Sequence, residues 1–175
     1  MANLLIINAN PNNGSFCEAI ANKYKEKAKT NYEKVELFEI KILNNDNKLI
    51  VDEVTIRKFQ NLLITADELV IITPNWWSAI PAIFKYLLEV SLTYDFAFTY
   101  KNNLPKGLLT IKKAKVIITQ DSPIWYTKWF LGDPLYKMLK KGVLEFCGIK
   151  NVEKIVFGSV RNSSMKQRTK WLEGI

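Results

Sequence analysis

Three stretches of the 175-residue chain carry residue types that could do chemistry together. The first is Asn10-Pro11-Asn12-Asn13-Gly14-Ser15-Phe16-Cys17, a polar turn between an apolar run and a helical segment. Asn13-Gly14 permits a tight turn and Ser15 offers a hydroxyl donor. Free backbone amides and the dipole of the following helix make such a turn ready for an anion. A capped turn with no ligand explains it equally well. It is neither a P-loop nor a GxGxxG turn. The second stretch is Pro74-Asn75-Trp76-Trp77-Ser78-Ala79-Ile80-Pro81. Adjacent tryptophans cannot both face a core, so one is exposed or packs on something else. A flat aromatic ligand is one candidate; loop anchoring or a subunit interface is the other. The third, residues 120–133, is long for a connection and holds Trp125, Tyr126, Trp129 and Phe130. Long ordered loops of this kind usually carry function. Such aromatic density forms an exposed patch unless it lines a pocket or an interface.

Composition removes other chemistries. The chain has no histidine, so Ser-His-Asp and Cys-His catalysis are excluded. The commonest metal ligand is missing too, and no metal site is expected. Cys17 and Cys147 make no disulfide framework and read as free thiols. The net charge is +8, but the lysines are scattered through amphipathic segments. That pattern reads as a solvated surface, with an anionic small ligand preferred to nucleic acid as a partner. No apolar run approaches the roughly 20 residues of a membrane span, and no basic segment precedes the first apolar run. The chain is expected to be cytoplasmic, without membrane insertion.

Hydrophobic patterning supplies the elements that must hold the three stretches. Residues 3–9 and 68–73 are short apolar runs without alternation, the pattern of strands buried on both faces. Residues 114–119 and 152–157 read as two more strands, and residues 35–40 alternate as an outer strand would. Helices are expected over residues 18–29, 51–65, 81–92, 133–147 and 163–172. The second carries helical spacing at Val54, Phe59, Leu62 and Leu63. Pro81 is expected at a first helical position, and Asp133-Pro134 as a cap followed by proline. Gly148 is expected to end its helix in a left-handed conformation. Five strands alternating with five helices imply an α/β fold, a parallel sheet covered on both faces. Ligands bind such sheets at the carboxyl ends of the strands, where the three stretches converge.

At this point the residues resemble a family. The flavodoxin-like NAD(P)H dehydrogenases (quinone) include the DT-diaphorase type, modulator-of-drug-activity proteins and ancillary flavoproteins of potassium efflux systems. The chain is similar to them at Asn8-Ala9-Asn10-Pro11 followed by Ser15-Phe16, and at Pro74-Asn75-Trp76-Trp77 through Pro81-Ala82-Ile83-Phe84-Lys85. Asp95-Phe96-Ala97-Phe98-Thr99-Tyr100 and Glu145-Phe146-Cys147-Gly148 match as well. The resemblance implies one flavodoxin-like domain over residues 1–175, a three-layer sandwich with strand order 2-1-3-4-5. It implies an oxidoreductase that passes two electrons as hydride from NAD(P)H through FMN, or alternatively FAD, to a quinone or similar acceptor. It implies a homodimer. By resemblance Asn10, Ser15, Phe16 and Cys17 hold the phosphate and ribityl chain. Pro74, Asn75, Trp76 and Trp77 hold the ring. Thr119, Gln120 and Asp121 stand where the family has amides near the ring, with Gln120-Asp121 in place of Gly-Gly. Tyr126 falls at a tyrosine that assists catalysis, while the family's histidines have no counterpart. A flavodoxin-like electron carrier, an ancillary subunit of a membrane transporter and a fold relic without cofactor are the competing readings.

Overall fold

The computed structural model describes residues 2–40 and 51–175. Met1 and residues 41–50 of the expected 1–175 domain lie outside the described residues. Five parallel strands form the main sheet: β1 (Asn3–Asn8), β2 (Lys34–Glu39), β3 (Glu68–Pro74), β6 (Lys113–Thr119) and β7 (Val152–Phe157). Their order is β2-β1-β3-β6-β7, which is the expected 2-1-3-4-5 arrangement. Two further strands, β4 (Phe98–Lys101) and β5 (Leu104–Gly107), make a separate antiparallel hairpin. The helices are α1 (Phe16–Ala28), α2 (Glu53–Thr65), α3 (Ala82–Ser91), α4 (Pro134–Lys137) and α5 (Met165–Glu173). A π-helical turn spans Tyr126–Phe130, and α4 runs on as a π-helix over Met138–Glu145.

The layers follow from the side-chain alternation of strands. In β1, Leu5 and Ile7 join one core with Phe59, Leu63, Phe84 and Leu139. Leu4 and Ile6 join the other, with Ile20, Ala21 and Ile117. The first core lies under α2, α3 and α4, the second under α1 and α5. This two-sided burial is why β1, β3 and β6 read as unbroken apolar runs. Sheet topology puts the carboxyl ends of β1 and β3, adjacent strands whose connections leave in opposite directions, at the switch point of the sheet.

Several local expectations are corrected. Helix α1 begins two residues early, at Phe16, because the Ser15 side chain caps it by accepting from the Glu18 amide at 3.2 Å. Pro81 is the cap of α3 and not its first helical residue. Val54 is exposed, leaving Phe59 and Leu63 as the buried face of α2. Asp133 stands at the cap of α4 ahead of Pro134, as expected, but its side chain makes no capping hydrogen bond: its backbone is left-handed (φ 59°), and its carboxylate pairs with Lys154. The hairpin was not expected. It turns through Asn102 and Asn103, both at positive φ (52° and 61°), the geometry a two-residue hairpin turn requires. Gly148 does adopt positive φ, at 109°.

Candidate active site

The loop after β1 is stabilised from within. The Asn10 side chain accepts from the Asn12 amide at 3.0 Å, and the Asn8 side chain from the Asn10 amide at 3.2 Å. These turns deliver Phe16 and Cys17 as the first residues of α1. Their amides precede any helical carbonyl that could receive them. Cys17 is 1% exposed and shares a 3.1 Å hydrogen bond with the Thr119 hydroxyl at the end of β6. Burial pushes the Cys17 thiol above its ordinary value, against the pull of the Thr119 and Asn10 hydrogen bonds. It is therefore a neutral wall of the site and not a thiolate nucleophile.

The loop after β3 is tied to β6 by its backbone. The Asn75 amide donates to Thr119 O at 2.8 Å, and Trp76 and Ala79 exchange backbone hydrogen bonds at 2.9 Å each way. That closed turn forces Trp77 and Ser78 to positive φ, 53° and 63°. Trp77 is thereby thrown fully into solvent, at 100% exposure. The Asn75 side chain donates to Gln120 Oε1 at 3.1 Å. Its own Oδ1 is buried without a hydrogen-bond partner among the described residues. Gln120 Nε2 donates in turn to Ser122 O at 3.0 Å and Thr127 Oγ1 at 2.8 Å. The Asp121 carboxylate accepts from the Arg161 amide at 3.0 Å.

Together these groups enclose a cleft of about 170 Å³ lined by Asn10, Phe16, Cys17, Pro74, Asn75, Trp76, Thr119, Gln120, Asp121 and Val160. Nine residues singled out in the sequence meet there. Ser15, Trp77 and Tyr126 are not in its wall. Ser15 is occupied as the α1 cap, although its hydroxyl proton stays free to donate. Tyr126 lies on the π-helical turn, stacked on Phe130 at 5.9 Å with Trp125 edge-on. Val160 was missed. It belongs to a fourth loop, after β7, held by its amide to Gln120 O at 3.1 Å. A side chain at Gly158 would meet Ile124 Cγ1 at 2.7 Å, so glycine lets this loop lie against the third. The signal was available, because β7 borders β6 and its carboxyl end opens on the same edge.

The sequence matches the family described as having a flavodoxin-like fold over residues 2–173. The chain belongs to the flavodoxin-like family. A Haemophilus influenzae relative, called an uncharacterized NAD(P)H oxidoreductase, is 32% identical to this flavodoxin-like protein. The match covers 98% of this chain and 91% of the relative. FMN-dependent NADH:quinone oxidoreductase 2 of Clostridium perfringens is 28% identical over 69% of this chain and 59% of its own length. Among solved structures, Smu.1420 of Streptococcus mutans superposes with a TM-score of 0.79 at 30% identity, covering 98% of this chain and 95% of that one. An FMN-dependent NADH-azoreductase of Bacillus anthracis, solved in complex with FMN, shares the fold with a TM-score of 0.72 at 17% identity, covering 99% and 97%. No helix among the described residues of this flavodoxin-like protein is long and apolar enough to cross a membrane.

Proposed function

We propose that the protein is an FMN-dependent oxidoreductase that takes electrons from NADH or NADPH and delivers them to a quinone or a similarly small acceptor. The observation that carries this reading is the cleft itself. It sets the amide-rich start of α1 beside an amide-rich, tryptophan-bearing turn at the switch point of the sheet. The names of the relatives, oxidoreductases of NAD(P)H and quinones, point the same way.

The residues present fit a flavin. Asn75 Oδ1 is a buried acceptor without a partner, and leaving such a group unpaired costs about 1–3 kcal/mol. A heterocyclic N–H, which the flavin ring possesses, recovers that cost. Phe16 and Cys17 through their amides, with the Ser15 hydroxyl and Asn10, would hold the phosphate and ribityl chain. Pro74, Asn75, Trp76, Thr119, Gln120 and Asp121 would hold the ring. When bound, FMN supplies the group that accepts hydride and passes electrons on. The chain's own task is orientation and exclusion of water. Trp77 and Tyr126, outside the wall, are assigned to the rim that receives nicotinamide and then quinone. With one rim for both, the oxidised nucleotide must leave before the acceptor enters.

The same reading takes residues 1–175 as one flavin-binding domain and the protein as a homodimer with its site near the interface. Trp129 and Phe130, each 73% exposed on the loop whose first residues Gln120 and Asp121 line the cleft, are the apolar surface a second copy would cover. A reducing cytoplasm suits two free, buried cysteines.

Anaerobic stopped flow tests the function. FMN-loaded protein is mixed with NADH or NADPH and then with menadione. The visible flavin absorbance is expected to bleach with at least one nucleotide and return with the quinone, and steady-state rates to give parallel double-reciprocal lines. Absorbance unchanged by both nucleotides would exclude the oxidoreductase reading.

A further inference from the structure

We propose that Glu18 is a built-in competitor for the phosphate of the flavin and so sets how tightly this chain holds FMN. The proposal rests on the flavin reading above and concerns a residue that reading does not use.

The Gly14 amide donates to Glu18 Oε2 at 2.6 Å, while the Glu18 amide donates to Ser15 Oγ at 3.2 Å. A serine cap with glutamate three residues later ordinarily closes on the amide of the cap itself. Here the carboxylate reaches one residue further back, to the loop. It therefore lies at the N-terminus of α1, where the partial positive charge of the helix attracts an anion. Gly14 sits at φ 66°, and a Cβ built there meets nothing within 4 Å. No other group of the described chain crowds the Cβ side of this turn.

Phe16 and Cys17, the next residues of the same turn, line the cleft. Across it the buried, unpartnered Asn75 Oδ1 marks the cavity as built for a ligand. A phosphate arriving at this turn meets an amide whose hydrogen is already given to a carboxylate. One amide hydrogen cannot serve both, and two anions at that distance repel. Glu18 must swing out before the phosphate is fully held. Riboflavin has the ring and ribityl chain without the phosphate, so Glu18 should leave its binding unchanged.

Wild type, Glu18→Gln and Glu18→Ala are titrated with FMN and with riboflavin, reading flavin fluorescence without reductant. Circular dichroism of the flavin-free proteins checks the fold. Glu18→Gln keeps a neutral hydrogen bond to Gly14, so one variant retains the helix start if Glu18→Ala does not fold. Removing the charge is expected to tighten FMN about fivefold, the scale of a partly exposed charge at a helix terminus, with riboflavin affinity unchanged. FMN affinity that stays level or falls in the folded variants overturns the proposal. Equal tightening of both flavins does so too, since the effect then bypasses the phosphate. If neither flavin binds any of the three proteins, the flavin reading fails first and the proposal falls with it.

Discussion

Gln120 ties the loop after β3 to the loop after β6 through one side chain. Its amide nitrogen serves Ser122 and Thr127, its oxygen receives Asn75, and it is 6% exposed. Gln120→Ala leaves Thr127 and Asn75 with unmet hydrogen bonds, an expected loss of about 1–3 kcal/mol in urea unfolding. FMN binding, if the cleft holds it, should weaken as Asn75 loses its anchor. Trp77 and Trp171 make the opposite comparison. Trp77 touches water on all sides, so Trp77→Ala is expected to change stability by less than about 0.5 kcal/mol while lowering flavin affinity or turnover. Trp171 packs on Phe16 at 5.9 Å and Phe157 at 5.2 Å. Its replacement by alanine should lower stability, by less than the roughly 3–5 kcal/mol of a fully buried tryptophan, with turnover kept in the folded fraction. Thermal melts and initial rates on both variants decide this. At this scale the sequence was informative where residue type is chemically loaded: a tryptophan pair, an Asn-Gly turn, a serine before a helix. Val160 carries no such mark, and only strand adjacency brings it to the cleft.

Elements were legible where periodicity and burial agree. The buried strands read directly, since a two-sided core leaves no polar alternation to misread. The hairpin β4–β5 did not, because Pro105 inside a four-residue strand argues against a strand, and its exposed residues give no apolar period. The π-helical stretch was read as ordinary helix: a spacing of four residues is common to both, and eight residues are too few turns to show the wider winding. Two glycines test how the hairpin docks. A Cβ at Gly107 would lie 2.1 Å from the Gly148 backbone nitrogen, whereas one at Gly142 meets nothing within 4 Å. Gly107→Ala is therefore expected to cost at least about 1–3 kcal/mol, as overpacking does. Gly142→Ala should be neutral or stabilising by up to about 1 kcal/mol. Cys147, beside this junction, adds a pH effect. Burial pushes its thiol from 9.0 up to about 11. Below pH 9 both the folded and the unfolded thiol are protonated and nothing is lost. Between pH 9 and about 11 only the unfolded one ionises, so stability falls as pH rises. The stability difference between wild type and Cys147→Ala, measured by urea at pH 8 and about pH 10, is expected to shift against the wild type at the higher pH.

For the whole molecule, the layered fold followed from counting strands and helices, while the strand order came from family resemblance, because spacing does not determine which strands are neighbours. The apolar surface on residues 124–131 is the feature that composition foretold and that the isolated chain leaves open, with Trp129 and Phe130 most exposed. If it is a homodimer interface, light scattering should give twice the 20.2 kDa chain mass, and Phe130→Glu should give the single mass with its melting temperature nearly kept. A single mass for the wild type at high concentration would count against the dimer. The placement of indoles has an optical consequence. Four of the five tryptophans sit on the loops after β3 and β6, and all four are exposed by 39% or more. Emission of the flavin-free monomer should thus resemble indole in water, long in wavelength and readily quenched by iodide. Trp171, packed between Phe16 and Phe157, contributes the blue, iodide-resistant remainder. Filling the cleft would quench the first population at any protein concentration, by energy transfer to the flavin. Association of two chains would shift it blue only as concentration rises, so a single dilution series separates the two events without a label.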